Sequence, residues 1–456
     1  MKRLMPFALV LAGCATVPAP PRPAASQSAQ GAFVESRHGG VSQAPLPASW
    51  WRLFNDPVLD GHVQRALGVN SDLRVALANL EVARAAVRQA SAARNIRAGV
   101  ESGRGSTSAV DQPSTTMVPT SDYDLGATVA YEVDLFGRLR SAALAARADA
   151  EASTAALDAA RVAVVADTVA AYVDLCGAVA GGRIAQETVA LQRRSADLIA
   201  RQLHHGEVSP LELAQAQTAL RNAEADVPQH EADRRRALFR LATLQGRVPA
   251  EADSLPIGCT APPRIAAPIP VGDGGALIAR RPDIREADRR IVAATARIGV
   301  ATADLYPRIL LGGSGGLISG GFEAFVSPLI SWAFLDRSAA RAKIAAARGT
   351  EAAALASWDA VMLRALREVE SALADYRAGQ VRREALVAAL AESEKAVRRA
   401  RSRFRLGADG YLLVLDAERS RTDIASRLAA ADLRIAQTQV ALFRALGGGW
   451  EQPEAR

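Results

Sequence analysis

The sequence is poor in aromatic residues and has no long uninterrupted hydrophobic run. Phe, Trp and Tyr make up 5% of the 456 residues, whereas hydrophobic residues together make up 49%. The apolar content is therefore mostly small and aliphatic, which favours long helices over a compact mixed α/β core. No run reaches the roughly 18 apolar residues of a membrane-spanning helix, which argues against a helical membrane transporter. A membrane β-barrel is compatible with the sequence, because its strands leave a weaker signal.

The sequence also lacks the groups that catalysis or metal binding would need. All five His residues precede Ser314 of a G-x-S-x-G pattern, whereas the α/β-hydrolase fold places its His after the nucleophile. The adjacent His204 and His205 point to different sides of a helix and have no Cys or carboxylate pair nearby. The net charge is +7, but Lys and Arg are interleaved with Asp and Glu. We expect no enzyme activity, no cofactor, no metal and no nucleic-acid partner.

The first 13 residues are typical of a lipoprotein signal peptide. A basic pair and a short apolar run lead to Leu-Ala-Gly and then Cys14, which resembles the bacterial lipobox. The resemblance implies lipidation of Cys14, and acyl chains would anchor the protein without spanning the membrane. Ala15 favours the outer membrane, since an Asp there would favour inner-membrane retention. Residues 14–49 are rich in Pro and Ala and predict an extended tether.

Proline is absent from two long stretches of the chain. None occurs between Pro119 and Pro210, or between Pro328 and Pro453. Such Ala-rich, proline-free stretches predict very long helices. A helix over residues 137–205 would rise roughly 100 Å. This is deeper than a globular core, so we expect a rod or the wall of a tube.

The two halves of the chain resemble each other, which indicates an internal duplication. We predict a first repeat over residues 50–257 and a second, with a linker, over 258–452. Each would contain a helix, a β-hairpin and two long helices. Three pairs of short segments recur at an offset of about 200 residues: 136–138 with 335–337, 205–206 with 406–407, and 245–246 with 446–447.

The clearest strand pattern covers residues 122–135, where apolar and mostly polar or small residues alternate. Tyr123 and Tyr131 lie on the apolar face, roughly 26 Å apart. This matches the roughly 25 Å between the aromatic girdles of a membrane barrel. A strand of a soluble β-sandwich is the alternative interpretation.

Three further strands are predicted over residues 95–105, 308–318 and 322–335. Phe322, Trp332 and Phe334 share one face of the last of them. Four strands cannot close a barrel, and lipid tolerates no open sheet edge. Two copies of the chain would supply about eight strands and three copies about twelve. Strand counting alone does not choose between these two assemblies.

Five segments in chain order resemble the TolC/OprM-like outer membrane factors, in particular their NodT-type lipoprotein branch. They are residues 50–57 (WWRLFNDP), 131–138 (YEVDLFGR), 280–285 (RRPDIR), 366–370 (LREVE) and 445–450 (ALGGGW). The matches extend over nearly the whole chain. One departure is that Phe-Leu-Asp-Arg-Ser at 334–338 stands where the family often has Phe-Asp-Gly-Gly-Arg.

The resemblance implies a mainly α fold with a β-barrel contribution. Each chain would supply four membrane strands and long antiparallel helices, and three chains would close both a β-barrel and an α-helical barrel. The homotrimer would contact outer-membrane lipid and extend into the periplasm. It would be the passive exit duct of a tripartite efflux system, with a periplasmic membrane-fusion adaptor and an inner-membrane RND pump as partners.

The same resemblance places the functional residues at two turns between long helices, where the adaptor would dock. The expected docking residues are Gly206, Val208, Ser209, Gly407, Asp409 and Tyr411. The gate is expected just inside the second turn, at Leu412, Asp416 and Arg419. Asp416 falls where the family has an acidic gate ring, which would favour cations and open by a modest helix rotation. A plain solvated helix face is the alternative for each of these residues.

Cys176 and Cys259 are predicted to form a disulfide in the oxidising periplasm. They lie about 30 residues before and about 50 residues after the first turn. A non-helical return after Gly246 would bring both to roughly 45–50 Å from that turn.

Two other functions fit parts of the pattern. The first is the duct of a type I protein secretion system, which shares the architecture. The second is a structural envelope lipoprotein whose helices form a stalk. The alternating strand with its two tyrosines favours a conduit over a stalk.

Overall fold

The computed structural model is mainly helical. It describes the following parts of the chain: residues 19–21, 23–37, 39–103, 124–318, 321–332 and 337–450. The chain divides into two compact units. The strand unit comprises Met1–Ala24, Leu77–Ala156 and Asp283–Val361, and the helical unit comprises Ala25–Ala76, Leu157–Pro282 and Met362–Arg456.

Nine α-helices are described, of which α4 and α8 are the longest. They are α1 (Gln27–Gln30), α2 (Pro57–Val69), α3 (Ser71–Ala92), α4 (Arg138–His204), α5 (Pro210–Leu244), α6 (Gly274–Arg280), α7 (Pro282–Ala303), α8 (Ser338–Arg405) and α9 (Tyr411–Ala445). α4 has 67 residues and α8 has 68, while α5 and α9 each have 35. The matched lengths agree with an internal duplication.

Polar side chains fix where several helices begin. The Asp56 carboxylate accepts hydrogen bonds from two amides in the first turn of α2, and Asn70 does the same for α3. The Asp134 carboxylate accepts from the Leu139 and Arg140 amides, at 2.9 and 2.8 Å, at the start of α4. These bonds satisfy amides that have no partner within the helix.

The six strands form two sheets, one small and one of four strands. They are β1 (Val41–Ser42), β2 (Arg97–Gly103), β3 (Asp124–Val133), β4 (Ile269–Pro270), β5 (Arg308–Ile318) and β6 (Gly321–Ser331). β1 pairs parallel with β4 in the helical unit. The larger sheet lies in the strand unit, is antiparallel and has the order β2-β3-β5-β6.

The strand predictions need small corrections at their ends. β5 spans the predicted residues, whereas β2 begins two residues after the predicted start at 95, and residues 104–105 lie outside the described residues. β3 ends at Val133 because Asp134 leaves the ladder to cap α4, and residues 135–136 form a turn. β6 ends at Ser331 instead of continuing to 335. Phe334 lies outside the described residues.

The apolar middle of α4 differs from the sequence-based expectation. Within the described part of the chain, this one helix is long and apolar enough to cross a membrane by length and composition alone. However, 67% of its most apolar window is buried inside the protein, as in the core helix of a globular domain. Val165, Val169 and Leu175 are fully buried within the helical unit. Packing against other helices therefore accounts for this composition.

The N-terminal segment is not the free tether that its composition predicted. We call residues 25–37 and 39–49 the strap, because this segment packs against the helices of the helical unit. Phe33 is 2% exposed. The Glu370 carboxylate of α8 accepts hydrogen bonds from the Val34 and Glu35 amides, at 2.7 and 3.1 Å. The Gly274 amide donates to Gly31 O at 2.9 Å. Order therefore begins well before Trp50.

Aromatic stacking joins the start of the ordered domain to its end. The Trp50 and Phe443 rings stack at a centroid distance of 4.6 Å, and both side chains are fully buried. The Trp50 indole N–H donates to Gly448 O at 3.3 Å. Gly449 has a φ of +100°, a conformation that favours glycine. This explains the glycine run that follows α9.

A buried histidine holds the segment that follows α5. His62 of α2 is 3% exposed. One of its ring nitrogens lies 3.0 Å from Pro256 O, and the other lies 2.8 Å from the Gln245 amide nitrogen. Burial lowers the pKa of His62 below its ordinary value of 6.5; the Asp56 carboxylate opposes this shift and Arg65 adds to it. The folded protein therefore favours the neutral ring.

We expect the thermal stability of the protein to fall as the pH drops below about 6.5. In that range the unfolded chain binds a proton at His62 more readily than the folded chain does. Thermal unfolding of the detergent-purified protein between pH 7.5 and 5 measures this effect. His62→Gln should flatten that part of the profile. A variant with the same slope as the wild type would contradict the assignment.

Candidate gate and docking turns

The two turns between long helices have the same backbone geometry. Gly206 follows α4 with a φ of +74°, and Gly407 follows α8 with a φ of +69°. Each lies in the left-handed region, which glycine adopts at little cost. Both glycines are exposed. The predicted docking residues Gly206 and Gly407 therefore lie at the surface of the helical unit.

The chemistry of the two turns differs. At the first turn, Ser209 is exposed and Val208 is half-buried, and the Ser209 amide donates to the Glu212 carboxylate at 2.8 Å. At the second turn, the Arg403 guanidinium donates to both carboxylate oxygens of Asp409, which lowers the pKa of that carboxyl. Asp409 is thus engaged within its own turn.

Tyr411 does not lie on the docking surface, which corrects the sequence-based assignment. Its side chain is 1% exposed and packs with Val414, Leu415 and Ile199 in a core shared by α4, α5, α8 and α9. Its ring also meets the Phe404 ring edge-on at 5.7 Å. The pattern of α9 explains the correction, because Tyr411 is three and four residues before buried apolar positions.

The predicted gate residues share the exposed side of α9. Leu412 is 56% exposed, and Asp416 and Arg419 are exposed as well. Their spacing of three to four residues places them along one face, which we call the gate face. In the described part of the chain, Asp416 forms no ion pair. A carboxylate and a guanidinium on an open face are therefore placed to meet another surface.

A buried charged group lies behind the gate face, and the sequence analysis did not identify it. Glu418 is 1% exposed and pairs with Arg401 of α8 at 2.7 Å. The Ser195 hydroxyl of α4 lies 3.4 Å from its other oxygen. A sequence signal existed, since Glu418 falls seven residues after Tyr411 in the apolar stripe of α9.

A groove of about 970 Å³ lies among α4, α5 and α9. Arg419 of the gate face lines it, together with Gln192 and Thr422. The Gln192 amide oxygen and the Thr422 hydroxyl are buried and form no hydrogen bond with the described residues. Ordered water typically satisfies such groups. The gate face is therefore continuous with a polar groove.

The predicted membrane aromatics are only partly described. Tyr131 is 37% exposed on β3, and Trp332 is 45% exposed just after β6. The Trp332 indole N–H donates to Leu305 O at 3.0 Å. Tyr123 lies outside the described residues, so the predicted pair of tyrosines stays a prediction.

The structure joins Cys176 and Cys259 by a disulfide, with their Cα atoms 5.6 Å apart. Cys176 belongs to α4, and Cys259 lies in the segment between α5 and α6, after a short 3₁₀ helix at Pro249–Ser254. The nearby Tyr172 hydroxyl donates to Asp56 at 2.7 Å. The disulfide thus links the core helix to the segment that His62 also contacts. Cys14, the predicted lipidation site, lies outside the described residues.

The fold and the candidate site together describe a protein with very long helices, a four-stranded antiparallel sheet, and a face of α9 that carries acidic and basic residues near one turn. The chain belongs to the outer membrane efflux protein family, whose model matches residues 62–247 and 275–448. It is an efflux channel of the outer membrane, and members of this family are channels rather than enzymes.

Individual relatives agree over almost the full length. Outer membrane protein OprJ of Pseudomonas aeruginosa is 32% identical, and the alignment covers 98% of this chain and 95% of OprJ. Cation efflux system protein CusC of Escherichia coli O157:H7 is 30% identical, with 99% of each chain covered. The solved outer-membrane channel OprN is 34% identical with a TM-score of 0.85, covering 95% of this chain and 99% of OprN.

We expect protein exported to the periplasm to show no free thiol at Cys176 or Cys259 before reduction. Mass spectrometry after thiol alkylation, with and without a reductant, measures this. The variant with both cysteines changed to Ala should lose on the order of 2–5 kcal/mol of stability, because its unfolded chain is less constrained. Recovery of both native cysteines as free thiols would contradict the disulfide.

Proposed function

We propose that three copies of this chain form the exit duct of a tripartite efflux system. Their strands close a β-barrel in the outer membrane, and their long helices form an α-helical barrel in the periplasm. The observation that carries this proposal is a four-stranded sheet with one apolar face and, in the described part of the chain, two unpaired edges. Family membership supports the efflux function, and the name of CusC, a cation efflux system protein, supports a cation as one cargo.

The apolar face follows directly from the strand register. Leu125 of β3 is opposite Leu317 of β5, which is opposite Phe322 of β6. These side chains are 53%, 49% and 73% exposed, so one chain leaves the whole row uncovered. A second row places Tyr131 opposite Leu311. Lipid is the environment that such a row fits.

The opposite face of the sheet is mostly small or polar, apart from apolar residues such as Leu310 and Leu329 on β5 and β6. Thr128 is opposite Ser314, and Ala130 is opposite Gly312. At the end of β3, the Glu132 carboxylate pairs with the Arg138 guanidinium at 2.6 Å. A polar face opposite a lipid-facing one is the pattern of a water-filled barrel. Solute would pass along this face.

The sheet edges require further copies of the chain. In the described residues, β2 pairs only with β3, and β6 pairs only with β5. Each strand thus has a row of backbone groups without a partner, which is costly in lipid. Adding copies edge to edge closes the sheet, and three copies give about twelve strands, a number within the range of membrane barrels.

The gate face of α9 suits a constriction in such an assembly. Around a threefold axis, each Asp416 would meet its own copies and the Arg419 side chains beside them. Hydrogen bonds and ion pairs between these groups would close the pore, and excess carboxylate would favour cations. Leu412 would add an apolar ring one turn away.

The two glycine turns suit docking of the periplasmic adaptor, which would connect the duct to the inner-membrane pump. Val208, Ser209 and Asp409 flank the exposed glycines, and Leu406 beside the second turn is 81% exposed. Lipid on Cys14 would add an anchor in the outer membrane. We also propose that the chain consists of two repeats, residues 50–257 and 258–452. No described contact favours protein secretion or a stalk over efflux.

Reconstitution of the purified protein into a planar bilayer tests the duct. We expect single-channel currents and a trimer by light scattering in detergent. A monomer that inserts into lipid vesicles and passes no ions would overturn the proposal. Heat-denatured protein at the same concentration provides the control for detergent artefacts.

We expect Asp416→Ala to increase the current through the closed channel several-fold, because a ring of carboxylates is lost from the constriction. Cells that carry the variant should also admit antibiotics that the wild type excludes. Glu392→Ala is a suitable control, since this exposed carboxylate lies on α8 and pairs with Lys395. Equal conductance and antibiotic entry in wild type and Asp416→Ala would reject the gate.

A further inference from the structure

One buried carboxylate connects three helices next to the gate face. Two nitrogens of the Arg401 guanidinium donate to the same oxygen of Glu418, at 2.9 and 2.7 Å. The Ser195 hydroxyl lies 3.4 Å from the other oxygen. Glu418 belongs to α9, Arg401 to α8 and Ser195 to α4. The carboxylate is therefore the meeting point of these helices.

The burial of the pair is unequal. The Glu418 side chain is 1% exposed, whereas the Arg401 side chain is 46% exposed. Tyr411, Val414 and Leu415 are buried apolar residues of α9 that lie near Glu418 in the sequence. If α9 moved away from Arg401, the carboxylate would stay desolvated without its partner, which is strongly unfavourable. The pair thus opposes displacement of α9.

The position of Glu418 on the helix opposes rotation in particular. Glu418 lies two positions after Asp416, which corresponds to about 200° around the helix axis. A rotation of α9 that turned the gate face would carry Glu418 through the same angle. Its bonds with Arg401 and Ser195 would then break. The gate face and the buried carboxylate therefore move together.

We propose that Glu418 is a positioning residue for the gate: its bonds to Arg401 and Ser195 set the rotation of α9 at which Asp416 and Arg419 close the pore. Glu418 itself touches no solute. The proposal rests on the gating function proposed above and adds the element that keeps the gate closed. Opening then requires α9 to lose these bonds or α8 to move with it.

Glu418→Gln tests the proposal, because it keeps the side-chain shape and removes the charge that Arg401 binds. We expect a several-fold increase in closed-channel current in planar bilayers, with the trimer intact. Arg401→Lys, which keeps the charge but loses the two-nitrogen contact, should give an intermediate increase. It also serves if Glu418→Gln does not assemble. Glu394→Gln is the matched control on α8, since Glu394 and Arg398 are 3.9 Å apart and both exposed; its current should equal that of the wild type.

The double variant Asp416→Ala with Glu418→Gln separates positioning from general loosening. If Glu418 acts through the gate face, the double variant should leak no more than the leakier single variant. If the current of the double variant equals the product of the two single-variant increases, Glu418 acts independently of Asp416, and the proposal is overturned. If Asp416→Ala leaks and both Glu418→Gln and Arg401→Lys do not, the gate stands and the role of Glu418 is rejected. If none of these variants leaks while the wild type conducts, the gate and the role of Glu418 both fall, and the duct remains.

Discussion

Backbone hydrogen bonding at the edges of the four-stranded sheet is the constraint on which the proposed assembly depends. Each residue of a strand carries an amide and a carbonyl that lipid cannot satisfy. Among the described residues of one chain, β2 and β6 each pair on one side only. A neighbouring copy is the simplest partner for both edges, and repeated addition closes a ring. In such a ring, symmetry relates each residue to an equivalent residue in every other copy. Gate-face residues that lie near the axis would therefore face their equivalents.

The two halves of the chain have long helices of nearly equal length and turns of different chemistry. The paired helices agree in length to within one residue, and the glycine turns have nearly equal φ angles. The first turn is held by Ser209 and Glu212, the second by Arg403 and Asp409. Only α9 has the acidic and basic residues of the gate face opposite a buried carboxylate. The two halves thus share helix lengths and turn geometry, and the proposed gate lies in the second half alone.

Much of the fold was predictable from local sequence signals. The proline-free stretches identified α4 and α8, and the alternating pattern located the end of β3 to within two residues, because both signals come from neighbouring residues. Tyr411 was misassigned because the glycine turn before it resembles a surface loop, while its partners Ile199 and Phe404 are distant in sequence or on another helix. The strap was misread because its Pro and Ala content is typical of a tether.

The site was less predictable than the fold because its contacts join residues that are distant in the sequence. Leu412, Asp416 and Arg419 follow from helical spacing and from the family resemblance. The Glu418 contacts need three helices at once, and no spacing rule pairs Ser195 with a residue of α9. Cys176 and Cys259 were an exception, since three cysteines, one of them in the lipobox, leave a single pair.

The contact between the strap and Glu370 has a consequence for how this region tolerates change. The carboxylate binds main-chain amides at positions 34 and 35, and the Val34 side chain itself is 65% exposed. Main-chain groups are the same for every residue except proline. Side-chain replacements at position 34 therefore leave these two bonds intact, whereas a proline at 34 would remove one of them and loss of the Glu370 carboxylate would remove both. The contact with Glu370 thus tolerates most side-chain substitutions at positions 34 and 35.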